Sequence, residues 1–302
     1  MTSREAVARG ARLSQEPWQT SAAAVTLFKG SAHSVREIVA HRELLGMLVR
    51  RELKARYKDS SLGFLWSLLR PLSILLVYYV AIGKFLGAER AIPDFAIYIF
   101  TGLTIWQLFQ EIVASSTGSI VGNSGLVRKV YLPREVFPLS TVGSALFNFG
   151  TQFLILIVAV LVVGRFPTGN RLWYLPLSLA VVLTFATAIG LFLAAVNVYL
   201  RDVQYLVEIT LMILFWASPV VYSWEQVSHA ITGSWVENIY LGNPVTMAVL
   251  GIQRAMWVAG SDEPVPPDLT LRLLIALAVG AVLVWLSQRL FNRLEGNFAQ
   301  EL

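Results

Sequence analysis

From Asn197 to Ser223 the sequence reads NVYLRDVQYLVEITLMILFWASPVVYS, one charged turn set between two apolar runs. The run ending near Val198 and the run starting near Tyr205 are each long enough for a membrane span, because a hydrocarbon core of about 30 Å takes about 20 helical residues. Lipid offers no partner to a stray backbone amide, so such runs fold as helices, and this pair forms a hairpin with YLRDVQ at one membrane face. Arg201 and Asp202 in the turn can cap helix ends or meet a partner, and a plain polar turn requires neither.

The rest of the chain repeats the pattern. Of its 302 residues 56% are hydrophobic and 14% charged, against roughly 25% charged in an ordinary soluble domain. Apolar segments at about 62–83, 96–120, 137–163, 173–198, 205–222 and 270–291 predict an all-α polytopic membrane protein with six transmembrane helices, in a membrane domain covering residues 59–295. The net charge of +5 is then a matter of topology, not of nucleic acid. With no cysteine the sequence has neither a disulfide framework nor a thiolate metal site, and His33, His41 and His229 are too scattered for a metal centre.

Lys and Arg mark cytoplasmic loops. With the N-terminus inside, 17 of the 24 lie on the cytoplasmic side, 11 of them in residues 1–61, and six lie outside, with Arg70 within a span. Both termini, including a tail at 296–302, are therefore expected in the cytoplasm of a multi-pass inner-membrane protein.

Residues 1–33 read as a flexible extension, polar, mixed in charge and broken at Pro17, and the run AAAVTLF at 22–28 is too short for a signal peptide. From Ser34 to Lys58 apolar residues recur on one face of a 3.6-residue period, which predicts an amphipathic helix. Ser34 and Glu37 suit a capping box at its start, and its far end carries Arg50, Arg51, Lys54, Arg56 and Lys58. Such a helix is expected in the headgroup plane with its cations toward anionic lipid.

Two connections exceed simple turns. The inner loop NSGLVRKVYLPREVFPLS, Asn123 to Ser140, offers an N-cap, one or two helical turns with a basic face, and Pro133 as a stop. The outer connection between the fifth and sixth spans includes Trp224, Trp235, Tyr240 and Trp257, and Asn243 with Pro244 suits the opening of an apolar helix to about Val258. Too short to span, that helix is expected to dip into the outer leaflet and return.

Charge inside a span is costly and usually paired. Arg70 and Glu111 lie at similar depth and are expected either to pair or to leave Arg70 facing a cavity, whereas Glu208 near the start of the fifth span can snorkel. Aromatic side chains suit a path for sugars, since their flat faces stack on the C–H faces of rings while polar tips bond hydroxyls; Trp66, Tyr78, Tyr79, Trp106, Phe109, Phe147, Phe149, Phe215, Trp216 and Tyr222 are the candidates, and packing alone would also account for most of them.

RRELKARYKDSSLGFLWSLLRPL (Arg50 to Leu72), LVRKVYLPREVFPLS (Leu126 to Ser140), NVYLRDVQYL (Asn197 to Leu206), LFWASPVVYS (Leu214 to Ser223) and GNPVTMAVLGIQRAMW (Gly242 to Trp257) resemble, in order, the membrane subunit of type-2 ABC exporters for cell-surface polysaccharides, a family that includes O-antigen, capsule and teichoic acid export permeases. The resemblance runs from about Val35 to Glu295. It implies a homodimer on two copies of a cytoplasmic ABC ATPase, exporting a lipid-linked glycan. It makes the 34–58 segment, with Arg50, Arg51, Lys54, Arg56 and Tyr57, an interface helix. Leu126, Val127, Arg128, Lys129, Tyr131, Pro133, Arg134 and Glu135 become a coupling helix seated in the ATPase, with Arg201 and Asp202 as a second contact. Trp224, Trp235, Asn243, Pro244 and Trp257 fall in an outer gate built on a re-entrant helical pair, and the first and fifth spans flank a lateral opening.

The chain lacks G-x-x-x-x-G-K-[ST], its only Gly-Lys pair being Gly83-Lys84, so no phosphate cradle is present and ATP with Mg is expected on the partner. An ion-coupled flippase would show inverted repeats and several acids near the midplane. A membrane glycosyltransferase would need an acidic or metal-binding cluster. Neither pattern is evident; one deep acid and scattered Asp94, Asp202, Asp262, Glu263 and Asp268 are what the sequence offers.

Overall fold

The computed structural model describes residues 42–58, 65–129, 132–231, 233 and 235–302. The extension at 1–33, the Ser34 and Glu37 capping box, Tyr131 and the Tyr57 side chain lie outside the described residues.

Among the described residues the regular structure is helical. Helix α1 is Arg42–Tyr57, and α2 is Leu65–Tyr78, continued by a wider π-helical stretch Tyr79–Phe85. A short α3 (Ala88–Ala91) leads to α4 (Phe95–Gly122), α5 (Ser124–Lys129) and α6 (Val136–Val163). Then come α7 (Tyr174–Tyr199), α8 (Val203–Trp216), α9 (Trp224–Ile231), α10 (Trp235–Gly242), α11 (Pro244–Met256), α12 (Leu269–Leu294) and α13 (Phe298–Glu301). Five apolar helical segments, Leu65–Phe85, Phe95–Gly122, Val136–Val163, Gly169–Tyr199 and Leu269–Asn297, are long enough to cross a bilayer, and α8 is apolar but shorter.

The boundaries follow the expected spans except at α8, which stops at Trp216 and not near Tyr222. Pro219 cannot donate an amide and disfavours a helical conformation in the residue before it, so the helix ends just ahead of Ser218–Pro219. The expected helix from Pro244 is present, and its Asn243 side chain accepts from the Val245 amide at 3.0 Å as an N-cap.

Helix α4 is the hub: it packs on α6, α7, α8 and α11. In its most apolar 18-residue window 78% of residues are buried, against 6% for the Leu65–Phe85 span. Close approach between helices uses small residues, as in membrane bundles generally. At Gly251 on α11 an added Cβ would stand 2.1 Å from Ser178 Oγ on α7, and at Gly143 on α6 it would stand 2.7 Å from a Val49 methyl of α1.

One end of the bundle, here the basal end, is sealed by Leu48, Ile120, Val127, Val136, Phe137, Val198, Phe291 and Phe298, so Arg42 and the C-terminal helix share it. At the opposite, apical end Arg165 meets Asp94 at 3.0 Å and Tyr174 Oη meets Thr270 Oγ1 at 2.9 Å.

Candidate functional site

The apical half of α4, from Ile97 to Trp106, is buried throughout. Its basal half shows one open stripe at helical spacing, Gln107, Gln110, Glu111, Ala114, Ser115 and Gly118, partly or fully exposed. Helix α8 lies along α4, and α2 touches both α4 and α6. The two flanking helices meet where the Tyr78 and Phe215 rings come within 6.0 Å, and Phe215 stands edge-on to Trp106 at 5.4 Å. Trp106 in turn lies 5.8 Å from Phe109 and donates from Nε1 to Gln110 Oε1 at 3.0 Å. A polar strip thus ends in a knot of aromatic rings. Trp106, Phe109 and Phe215 are buried in that knot, Tyr78 is half-buried, and Trp216 stands exposed beside it, whereas Trp66 is exposed at the opposite, basal end of α2.

Glu111 is paired, but not with Arg70. Arg56 Nη1 of α1 lies 2.5 Å from Glu111 Oε1, and Asn148 Nδ2 of α6 donates to the same oxygen at 2.7 Å. Arg70 is exposed on α2 and forms no ion pair among the described residues. Equal depth along two helices does not fix which faces oppose each other, and α1 brings a nearer cation to Glu111. Helix α1 therefore does more than lie among headgroups. Its Glu52 accepts from Ser140 Oγ and Ser144 Oγ, each at 2.6 Å, and Arg51 donates to Asn123 Oδ1 at 2.6 Å. On its outer side Arg50, Arg51, Lys54 and Lys58 line an open groove with Met47, Leu53 and Phe147. Sequence reasoning passed over Glu52 and Asn148; the signal was the one acid between Arg51 and Lys54, facing two serines spaced i, i+4.

The basal connections divide into outward and inward residues. Arg128 and Lys129 of α5 are exposed, as are Arg201 and Asp202, while Val127 is buried, Leu126 packs beside it, and Pro133 is half-buried. Val127 and Val198 share one cluster, so α5 and the Arg201 turn lie on the same end. Arg134 and Glu135 point inward: the Arg134 guanidinium lies 5.7 Å from the Phe298 ring centre, and buried Glu135 stands 3.5 Å from Gln288 Nε2. Both side chains thus contact the C-terminal part of the chain.

At the apical end the non-helical link from Ala217 to Ser223 runs through protein, with Ser218, Pro219, Val220 and Val221 buried. Irregular backbone at such depth requires internal partners. Tyr98 Oη donates to Tyr222 O at 2.6 Å, Gln253 Nε2 to Pro219 O at 3.0 Å, and Tyr222 Oη to Trp216 O at 2.7 Å. Of the aromatics expected at a gate, Trp257 is a packing residue, edge-on to Tyr98 at 4.8 Å with Nε1 donating to Pro93 O at 2.7 Å. Trp224 is buried against Tyr240, and Trp235 is exposed. Arg171, not singled out from sequence, donates to Arg254 O at 2.8 Å and Trp257 O at 3.0 Å, a cation on the carbonyls that end α11. Burial and the neighbouring Glu225 carboxylate hold the Glu263 carboxyl above its ordinary range.

Comparison with known proteins gives a consistent result. A family described as ABC-2 type transporter matches residues 43–257. The O-antigen export system permease protein RfbA of Myxococcus xanthus is 32% identical over 268 residues, covering 89% of this chain and 98% of the relative. The Klebsiella pneumoniae protein of the same name is 27% identical, covering 86% of this chain and 95% of its own. The polysialic acid transport protein KpsM of Escherichia coli is 25% identical over 181 residues, 58% of this chain and 68% of its own.

Proposed function

The chain belongs to the ABC-2 type transporter family, and from that premise we propose that it is the membrane subunit of an ATP-driven exporter carrying a lipid-linked polysaccharide across the inner membrane. The observation that carries this reading is the polar stripe of α4. Side chains such as Gln110 and Glu111 at the level of a span do not face lipid; they face a cavity or other protein. Half-buried Tyr78 and exposed Trp216 at the head of the stripe supply ring faces for sugars, with Trp106 and Phe215 packed behind them, and Gln107 and Gln110 supply hydrogen bonds for hydroxyls.

In this reading the chain crosses six times, α8 making the short crossing, and the cation bias sets the basal end in the cytoplasm. ATP and Mg are bound by a separate subunit docked on that end, where the exposed Arg128 and Lys129 of α5 and the Arg201–Asp202 turn are available. Because Arg56 and Glu52 tie α1 to α4 and α6, a push on α1 is passed directly to the helix that carries the stripe and to its neighbour α6. Two copies of the chain form the transport unit, and helices α9, α10 and α11 make the apical gate, α11 as a re-entrant element.

Depletion of the protein in its native cell, followed by separation of lipid-linked glycan into cytoplasmic and surface pools, tests the proposal. Finished polymer is expected to accumulate inside while the surface pool disappears. Loss of both pools would move the assignment to biosynthesis.

A further inference from the structure

Helix α12 packs on α7 by one side, where Gly280 faces Thr184 and Phe185 closely, and turns the other outward, with Ile275, Val282 and Leu286 exposed. Continued at steps of three and four residues, that outer line reaches Arg289 and Arg293 at the basal end, and Trp285 lies beside Leu286 one turn before the first of them. Counted from Leu269 at 1.5 Å per residue, Trp285, Arg289 and Arg293 stand roughly 24, 30 and 36 Å along the helix. A hydrocarbon core of about 30 Å entered at Leu269 therefore ends near Arg289. That leaves the Trp285 ring just inside the core and Arg293 among headgroups.

The two arginines are one turn apart, and neither forms an ion pair among the described residues. The Arg289 guanidinium lies 4.2 Å from the centre of the Trp285 ring, a contact that holds the cation in place without cancelling its charge. Its Nε and Nη2 are buried and donate to no acceptor. Buried Glu135 is turned to the neighbouring Gln288 instead. A guanidinium drawn partly out of water without an acceptor is costly, and an anion from outside the chain offsets that cost. The approach to this one is from the lipid side, along exposed apolar side chains, and it ends on two planar donors at the level of phosphates. An amphiphile with an anionic head fits both features, whereas a soluble anion fits only the second.

We propose that Trp285, Arg289 and Arg293 bind one anionic phospholipid at the basal face of the membrane, its phosphate held by the two guanidiniums and its acyl chains lying along Leu286 and Val282. The site adjoins Gln288, which meets Glu135, and Phe291, which belongs to the basal seal with Val136, Phe137 and Phe298, so the lipid braces that end of the bundle. The proposal requires α12 to span a bilayer and does not depend on what the protein carries.

The sequence contains no cysteine, so a single introduced thiol can carry a probe. Full-length Leu286→Cys protein, labelled with a benzophenone maleimide, is placed in nanodiscs of phosphatidylcholine with a minor share of phosphatidylglycerol and irradiated, and the lipid adducts are identified by mass. A basic residue near an anionic headgroup corresponds to about fivefold in local lipid ratio, so phosphatidylglycerol is expected in the adducts at least about fivefold above its share of the bilayer. Leu274→Cys, outward-facing near the apical end, should report the bulk ratio. Adding Arg289→Gln and Arg293→Gln should return the Leu286→Cys adducts to the bulk ratio, and adding Arg272→Gln should not. A readout that needs no change to the arginines is salt: at about 1 M, where the Debye length is about 3 Å, the enrichment should fall. Adducts at the bulk ratio in the Leu286→Cys protein, or an enrichment kept in full by the double substitution or at high salt, would overturn the site.

Discussion

The junction of α1 with the spans makes a quantitative prediction. Arg56 and Glu111 are 39% and 20% exposed at their side chains, so their pair is neither a surface bridge nor a buried one. Exposed pairs contribute about 0–1 kcal/mol, and breaking a buried pair costs about 3–5 kcal/mol. Partial exposure with one further donor, Asn148, places the coupling between these, at roughly 1.5–3 kcal/mol, after allowing for solvent screening. Arg56→Ala, Glu111→Ala and the double variant form a cycle that isolates this term. The assay is amide hydrogen exchange of Arg42–Tyr57 in detergent or nanodiscs. If α1 detaches by local opening, each 1.4 kcal/mol is tenfold in the opening constant, so both single variants should exchange about 10- to 150-fold faster in α1, and the double variant no faster than the worse single. Arg70→Ala should leave α1 exchange unchanged. Additive effects of Arg56→Ala and Glu111→Ala, or an equal effect of Arg70→Ala, would refute the junction.

Other outcomes follow from the same kind of accounting. Glu52→Ala removes the acceptor for Ser140 and Ser144, but those hydroxyls also lie 2.7 Å from Phe137 O and 3.2 Å from Ser140 O and so are not orphaned; the loss should be about 1–3 kcal/mol, not the sum of two charged hydrogen bonds, read as faster α1 exchange. Gly251→Ala drives a Cβ into Ser178 Oγ and should cost about 1–3 kcal/mol in thermal melting, with most of the loss recovered by adding Ser178→Gly. Tyr98→Phe leaves the Tyr222 carbonyl without its 2.6 Å donor and should lower the melting temperature through loss of about 1–3 kcal/mol, with the link at 217–223 exchanging faster. Glu263 carries a raised pKa, so the stability it lends beside Glu225 is fully present below the ordinary carboxylate pKa and weakens as pH rises through the raised value; protection of the 261–266 loop, measured relative to the intrinsic base-catalysed exchange rate, should fall between acidic and neutral pH, and Glu263→Gln should remove that fall.

The sequence by itself determined the parts that depend on local chemistry. Runs free of charge must be helices in lipid, so the five long spans and the apolar helix from Pro244 were legible to within a few residues. The Asn243–Pro244 cap and the short basic helix before Pro133 were legible for the same reason, because caps and prolines act on their neighbours in the chain. The five motifs carried the family, since the residues that define it are contiguous.

Tertiary structure decided whatever depends on which faces meet. Depth along a helix is a one-dimensional quantity, and from it Arg70 and Glu111 look paired; rotation about the axis and the path of α1 give Glu111 to Arg56 instead. Glu52 reads as one acid in a basic stretch until Ser140 and Ser144, about ninety residues away, are brought to it. Trp257 looks like a gate aromatic by position and proves to be held by Tyr98 and Pro93. The early end of α8 could be suspected from Pro219, but Tyr98 and Gln253, which satisfy the interrupted backbone, come from helices more than thirty residues away on either side of the chain. Local interactions are written in spacing, whereas the partner of a buried charge or an unpaired carbonyl is chosen by packing, which no single segment contains.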